Sequence, residues 1–160
     1  RKVGLNMEIV DAAERVNEVQ KLALLPRMLQ HFGGSIAGKS IAVWGLTFKP
    51  RTDDIREAPA LVLIEKLLAG KARVAAFDPE GIPNVRKLMG ERITYAANAY
   101  DALNGADALV LATEWNEFRT PDWDRVKKAL KSPVLFDGRN IYRPSQLREQ
   151  GFTYYGIGRR

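Results

Sequence analysis

From Lys39 onward the chain alternates short, wholly apolar runs with segments of helical spacing, and that alternation leaves few folds open. The runs are SIAVWG (40–45), RVAAFDP (73–79), ALVLAT (108–113), PVLFD (133–137) and FTYYGIG (152–158). They are apolar throughout rather than alternating with polar residues, as strands are when helices cover both faces of a parallel sheet. Between them, PALVLIEKLLAG reads as a helix with Pro59 in its first turn and Gly70 at its end. Asn98 is placed to cap a helix that stops at Gly105, and PDWDRVKKAL and PSQLREQ supply two more. Residues 81–92 are weakly patterned and predict only a short helix with loops. The fold class is therefore α/β, a doubly wound, mostly parallel sheet, and its ligands are expected beyond the carboxyl ends of the strands.

Residues 1–34 follow a different rule. Ile9, Ala13, Val16, Gln20 and Ala23 recur at the spacing of one helix face. Asn6 is placed to cap that helix and Gly33–Gly34 to stop it. Pro26 lacks an N–H and crowds the preceding turn, so it should kink or divide the helix. So long a helix ahead of a compact domain needs another surface to pack on. It reads as the tail of a preceding region or as an oligomer contact. The expected organisation is a helical segment over 1–34 and an α/β domain over 39–160.

Composition removes several kinds of chemistry. There is no cysteine, which rules out disulfides, thiolate metal sites and a cysteine nucleophile within the chain. A single histidine leaves no material for the usual zinc clusters. No apolar run reaches the roughly 18 residues of a membrane span, and the start does not read as a signal peptide. A cytoplasmic protein without membrane contact is the expectation. The net charge is +6. Lys127, Lys128 and Lys131 form the only dense basic run and read as a solvated helix face. A modest positive field favours an anionic ligand such as a diphosphate. Nucleic acid is not the expected partner, because no RNP, helix-turn-helix or finger signature accompanies the charge.

Two basic loops follow buried strands. The first, GLTFKPRTDDIREAP (45–59), stands where a dinucleotide-binding domain carries G-x-G-x-x-G, but no second or third glycine follows Gly45. It offers Lys49, Arg51 and Arg56 interleaved with Asp53, Asp54 and Glu57. That pattern suits phosphate or carboxylate recognition, and equally a salt-bridge network that only orders the loop. The second, DGRNIYRP (137–144), carries Arg139 to the same edge, with Asp137 and Asn140 as turn formers. Glu114, in TEWNEF (113–118), is a weaker candidate acid or base beside Trp115 and Phe118, which read as packing lids. Asp78 stands where an acid could meet a ribose, but Asp-Pro after a strand reads as a turn cap. His31 reads as a helix-end residue without function.

VWGLTFKPRTDDIREAP (43–59), DALVLATEWNEF (107–118), DGRNIY (137–142) and GFTYYGIGR (151–159) closely resemble the carboxy-terminal part of the UDP-glucose 6-dehydrogenase family. The helix with VNEVQK resembles the segment that, in those enzymes, leads from the catalytic cysteine loop into the last domain. The resemblance implies a Rossmann-like domain that binds a UDP-sugar, part of an enzyme that oxidises UDP-glucose to UDP-glucuronate with two NAD. It implies that Phe48 and Lys49 contact the nucleotide sugar, that Arg139 is its other basic partner, and that Arg56 reaches NAD. NAD itself would be held mainly by an amino-terminal domain that this sequence lacks. Residues 1–34 would come from the central dimerisation region, and the intact enzyme would be a homodimer. Without cysteine or glycine fingerprint, the chain alone is expected to be inactive. The alternatives are the same part of a GDP-mannose or UDP-N-acetylamino-sugar dehydrogenase, a stand-alone nucleotide-binding module, or a structural dimerisation piece.

Overall fold

The computed structural model describes residues 7–159, so Asn6, the expected cap, lies outside the described residues. Helix α1 (Glu8–Lys21) starts at Met7 without a side-chain cap. A turn at residues 22–24 separates it from α2 (Leu25–His31). Pro26 thus divides the long helix and sits in the first turn of α2, where its missing N–H costs no helical bond. The predicted stripe on α1 is real as a pattern but uncovered: Ile9 is 87% exposed and Val16 59%. The segment joins the core from the turn onward, through Leu24 and Met28.

The rest alternates as expected. In order come β1 (Ser40–Trp44), α3 (Pro59–Ala69), β2 (Arg73–Phe77), α4 (Ile82–Met89), β3 (Thr94–Tyr95) and β4 (Ala108–Leu111). They are followed by α5 (Asn116–Arg119), α6 (Trp123–Ala129), β5 (Val134–Asp137), α7 (Pro144–Glu149) and β6 (Thr153–Gly156). The strands form one sheet in the order β3-β2-β1-β4-β5-β6, and every pairing is parallel. Strand β3 is too short to carry a pattern, and the sequence reading missed it. The helix expected from Asn98 is a single 3₁₀ turn at Asp101–Leu103, although Asn98 Oδ1 does accept the Asp101 N–H.

Each central strand sends alternate residues into two separate apolar layers. Ile41, Val43, Ala108, Val110 and Phe136 pack with Met28, Leu63, Ile64, Leu67 and Val85 from α2, α3 and α4. Ala42, Trp44, Leu109, Leu111 and Leu135 pack with Phe118, Val126 and Leu147 from α5, α6 and α7. Each fully buried side chain of this size contributes about 1.5–3 kcal/mol. The helix α3 ends at Gly70, yet Lys71 is the residue that takes the left-handed conformation, at φ 62°. Gly70 makes room for Ile36, whose Cδ1 lies 2.7 Å from where a Cβ would stand.

His31 closes α2 against the β5–β6 side of the sheet. Its ring stands edge-on to Phe32, Phe136 and Tyr155, and its Nδ1 lies 3.0 Å from the Tyr155 hydroxyl. Burial, and then the charge of Lys39, hold its pKa below the ordinary value. The unfolded chain therefore takes up this proton more readily than the folded one. Stability from this group is complete above the ordinary histidine pKa and is lost as pH falls below it. The melting temperature should drop between about pH 7.5 and pH 5.5, above the carboxylate range. A smaller drop is expected in His31→Gln; an unchanged pH dependence would contradict the assignment.

Candidate functional site

Strand register fixes which loops meet. Trp44 is level with both Phe77 and Leu111, and Leu111 is level with Asp137. The chain therefore leaves β1, β2, β4 and β5 at one height, and four loops share the carboxyl edge. β1 and β4 are neighbours whose crossovers run to opposite sides, the switch point where open α/β sheets form a crevice.

The β1 loop begins with a close approach. Gly45 has φ 90°, and a Cβ there would lie 2.5 Å from the Cβ of Thr113. Its N–H donates to Phe77 O at 2.9 Å. The next two amides, of Leu46 and Thr47, donate to Asp78 Oδ2, and Thr113 Oγ1 donates to Thr47 O. Phe48 then emerges into solvent, 50% exposed. Its N–H donates to Asp54 O, closing residues 48–54 into a tight loop. Arg51 takes φ 63° inside that loop, and Asn84 Nδ2 secures it through Asp53.

The β5 loop is braced as firmly. Asp137, fully buried, accepts the Arg139 N–H on one oxygen and the Tyr142 N–H and Tyr154 hydroxyl on the other. Asn140, at φ 55°, exchanges two side-chain hydrogen bonds with the Ile157 backbone. These contacts fix where Arg139 starts. Its guanidinium lies along Glu114, with Nη2 2.8 Å from Oε1 and Nε bonded to Oε2. Partial burial pushes the Glu114 carboxyl up, but the hydrogen bonds from Arg139 and its own backbone outweigh that and leave it below the ordinary value. Glu114 is thus an ionised anchor for Arg139, and the geometry gives no support to its use as a proton donor.

Between these loops and α1 lies a cleft of about 780 Å³. Phe48, Arg139, Glu57 and Lys21 line its rim, and Leu111, Ala112 and Gly138 its floor. Lys21 bonds Glu18 at 2.7 Å and also Glu57, so α1 is clasped to the start of α3. The structure brings Phe48 and Arg139 to one cavity. Lys49 is exposed on the adjoining loop and makes no hydrogen bond or ion pair among the described residues. Arg56 folds back on Asp54 through Nε and Nη2 while its side chain stays 87% exposed. Those hydrogen bonds hold the Asp54 carboxyl at a pKa of about 2. Lys21, its pairing with Glu57 and the anchoring role of Glu114 were missed by sequence reasoning, since each depends on a partner distant in the chain.

The description "UDP-glucose/GDP-mannose dehydrogenase family, UDP binding domain" matches residues 42–144. The chain belongs to this family. It is 46% identical over 153 residues to the UDP-glucose 6-dehydrogenase of Rhizobium meliloti (strain 1021), covering 96% of this chain and 35% of that protein. Against the UDP-glucose 6-dehydrogenase of Pseudomonas aeruginosa it is 45% identical, covering 98% and 36%. The chain spans about a third of the length of these curated relatives. Among solved structures, a UDP-glucose dehydrogenase from Pyrobaculum islandicum superposes with a TM-score of 0.80 at 29% identity, covering 98% of this chain and 33% of its own. A UDP-D-ManNAc dehydrogenase from Pyrococcus horikoshii gives 0.75 at 28% identity, covering 98% and 35%.

For a member of this dehydrogenase family, the β1 loop is unsuited to holding a dinucleotide. The helix that should receive a pyrophosphate begins only at Pro59, and the one glycine of the loop has its Cβ space filled by Thr113. Among the described residues no group of three or more His, Cys, Asp or Glu could hold a metal ion. No helix among them is long and apolar enough to cross a membrane.

Gly45→Ala tests the close approach at the switch point. It combines a left-handed φ with a steric overlap, so it should cost about 2–4 kcal/mol in denaturant unfolding. Gly105→Ala, at φ 68° with nothing within 4 Å, should cost only about 1–2 kcal/mol. Equal losses would mean that β1 and β4 do not meet this tightly.

Proposed function

We propose that this chain is the carboxy-terminal, nucleotide-sugar-binding part of an NAD-dependent dehydrogenase that oxidises UDP-glucose to UDP-glucuronate. The observation that carries the reading is a cleft at the carboxyl edge of a family-matched UDP-binding domain, lined by Phe48 and Arg139. The curated relatives at 46% and 45% identity, both called UDP-glucose 6-dehydrogenase, favour glucose as the sugar. The Pyrococcus horikoshii enzyme keeps a UDP-N-acetylamino sugar as the second reading, and the family description keeps GDP-mannose.

In this reading residues 39–160 form the UDP-sugar-binding domain and 1–34 belong to a central dimerisation region. The uncovered stripe on α1 supports that division. Arg139 offers the ligand the guanidinium N–H groups that Glu114 leaves free, and Lys49 offers an unpaired ammonium. The Arg139 charge is held at the cleft before the ligand arrives, so little of its ordering remains to be done on binding, whereas Lys49 is ordered by the ligand itself. Phe48 is the apolar member of the rim and packs against the ligand. Arg56 serves NAD, which a separate amino-terminal domain holds. The chain alone is inactive, because covalent oxidation at a primary alcohol calls for a thiolate and a positioned nicotinamide, and it supplies neither.

A direct charge-assisted hydrogen bond is worth about 1.5–3 kcal/mol. In the full-length enzyme, Lys49→Ala and Arg139→Ala should therefore each weaken UDP-glucose binding about tenfold to a hundredfold. Arg56→Ala should raise KM for NAD more than KM for UDP-glucose. Unchanged sugar affinity in both of the first two variants would sink the site. Tighter binding of GDP than UDP in a thermal-shift comparison would move the reading to GDP-mannose.

A further inference from the structure

One buried charge at this edge has no place in the reading above. Asp78, the last residue before the β2 turn, is 1% exposed. Among the described residues it forms no ion pair. Its Oδ2 accepts from Leu46 N at 2.7 Å, and from Thr47 N, Thr47 Oγ1 and Trp115 Nε1 at 3.1 Å each. Its Oδ1 accepts from Glu80 N at 3.0 Å and Gly81 N at 2.7 Å. The turn-capping role expected from the Asp-Pro pair is present, but it uses only one of the two oxygens.

We propose that Asp78 is the positioning residue of the nucleotide-sugar loop: its carboxylate ties the ends of β1, β2 and β4 together and so sets where Phe48 and Lys49 stand. The proposal rests on the site reading given above. A buried carboxylate is tolerable only when hydrogen bonds replace its lost hydration. Here the donors come from three loops that the strand register brings to one edge, and the carboxylate binds all three. The charge is stable only while residues 46–47, 80–81 and Trp115 surround it.

The two amides that it orients lie immediately before Phe48. Thr47 is held twice more, because its carbonyl accepts from Thr113 Oγ1 at 2.6 Å and its hydroxyl accepts from Trp115 Nε1 at 3.2 Å. The chain therefore enters residue 48 with no freedom at 46 or 47, and the 48–54 loop closure then carries that orientation to Lys49. In a dinucleotide-binding sheet an acid after β2 faces outward to a ribose. In this domain the acid at the end of β2 turns inward and spends every lone-pair direction on protein. It acts on the ligand through the loop and never touches it.

Steady-state kinetics of the full-length enzyme test this. In Asp78→Asn the amide presents N–H groups to N–H donors in either orientation. KM for the nucleotide sugar should rise about tenfold while KM for NAD stays unchanged. Thr47→Val keeps the shape and removes two links, the bond its hydroxyl donates to Asp78 and the one it accepts from Trp115, while leaving the backbone amides on Asp78. It should shift the same parameter in the same direction by a smaller factor. If Asp78→Asn fails to fold, Thr47→Val decides. Since the effect runs through the loop that carries Lys49, Asp78→Asn should add little to Lys49→Ala. A lowered melting temperature with unchanged nucleotide-sugar KM in both Asp78→Asn and Thr47→Val, or full additivity with Lys49→Ala, would reduce Asp78 to a structural part and overturn the proposal. Silent Lys49→Ala and Arg139→Ala together would instead overturn the site reading, and this proposal with it.

Discussion

A strand whose two faces are both buried meets solvent only at its ends, and the organisation of this domain follows from that restriction. The central strands β1, β4 and β5 give alternate side chains to two apolar layers and leave no face for a ligand. All strands run the same way, so every carboxyl end opens on one edge. The register brings four of those ends level, and any side chains that are to meet a ligand have to be carried on the loops that follow them. Loops are ordinarily mobile. Here each is tied down by a buried carboxylate, Asp78 for the β1, β2 and β4 loops and Asp137 for the β5 loop.

The cations at the edge are managed in a graded way. Arg139 is held by Glu114, Arg56 by Asp54, and Lys21 by Glu18 and Glu57. Lys49 and Arg51, on the β1 loop, have no such carboxylate partner among the described residues. An exposed pair adds little stability, and the use of these pairs is orientation. A guanidinium laid along a carboxylate points its remaining N–H groups in a set direction, at lower entropic cost to the ligand than a free side chain would impose. The clasp of Lys21 on Glu57 does the same for a larger element, holding α1 as one wall of the cleft.

The sheet was legible in the sequence because its signal is local: five apolar runs of strand length separated by helical patterns. The two-residue β3 was not, since Thr94–Tyr95 carries no periodicity and forms only because β2 offers an edge. Asn98 correctly signalled a cap, but only a 3₁₀ turn followed, because the chain must return to β4 within a few residues. At the site, Gly45, Arg139 and the Asp-Pro turn announced themselves as residue types at strand ends. Their partners did not. Glu114 for Arg139, Glu57 for Lys21 and Trp115 for Asp78 are contacts between distant segments, set by sheet order and register, which no local pattern encodes.

That the carboxyl edge of this sheet holds a nucleotide sugar is tested most directly by a crystal structure of the full-length enzyme with UDP-glucose bound. The expected result is ligand density in the cleft between α1 and the ends of β1, β4 and β5. Arg139 and Lys49 should both lie within about 3.2 Å of its oxygens. Density confined to the opposite edge of the sheet, or to another domain with this cleft empty, would contradict the account.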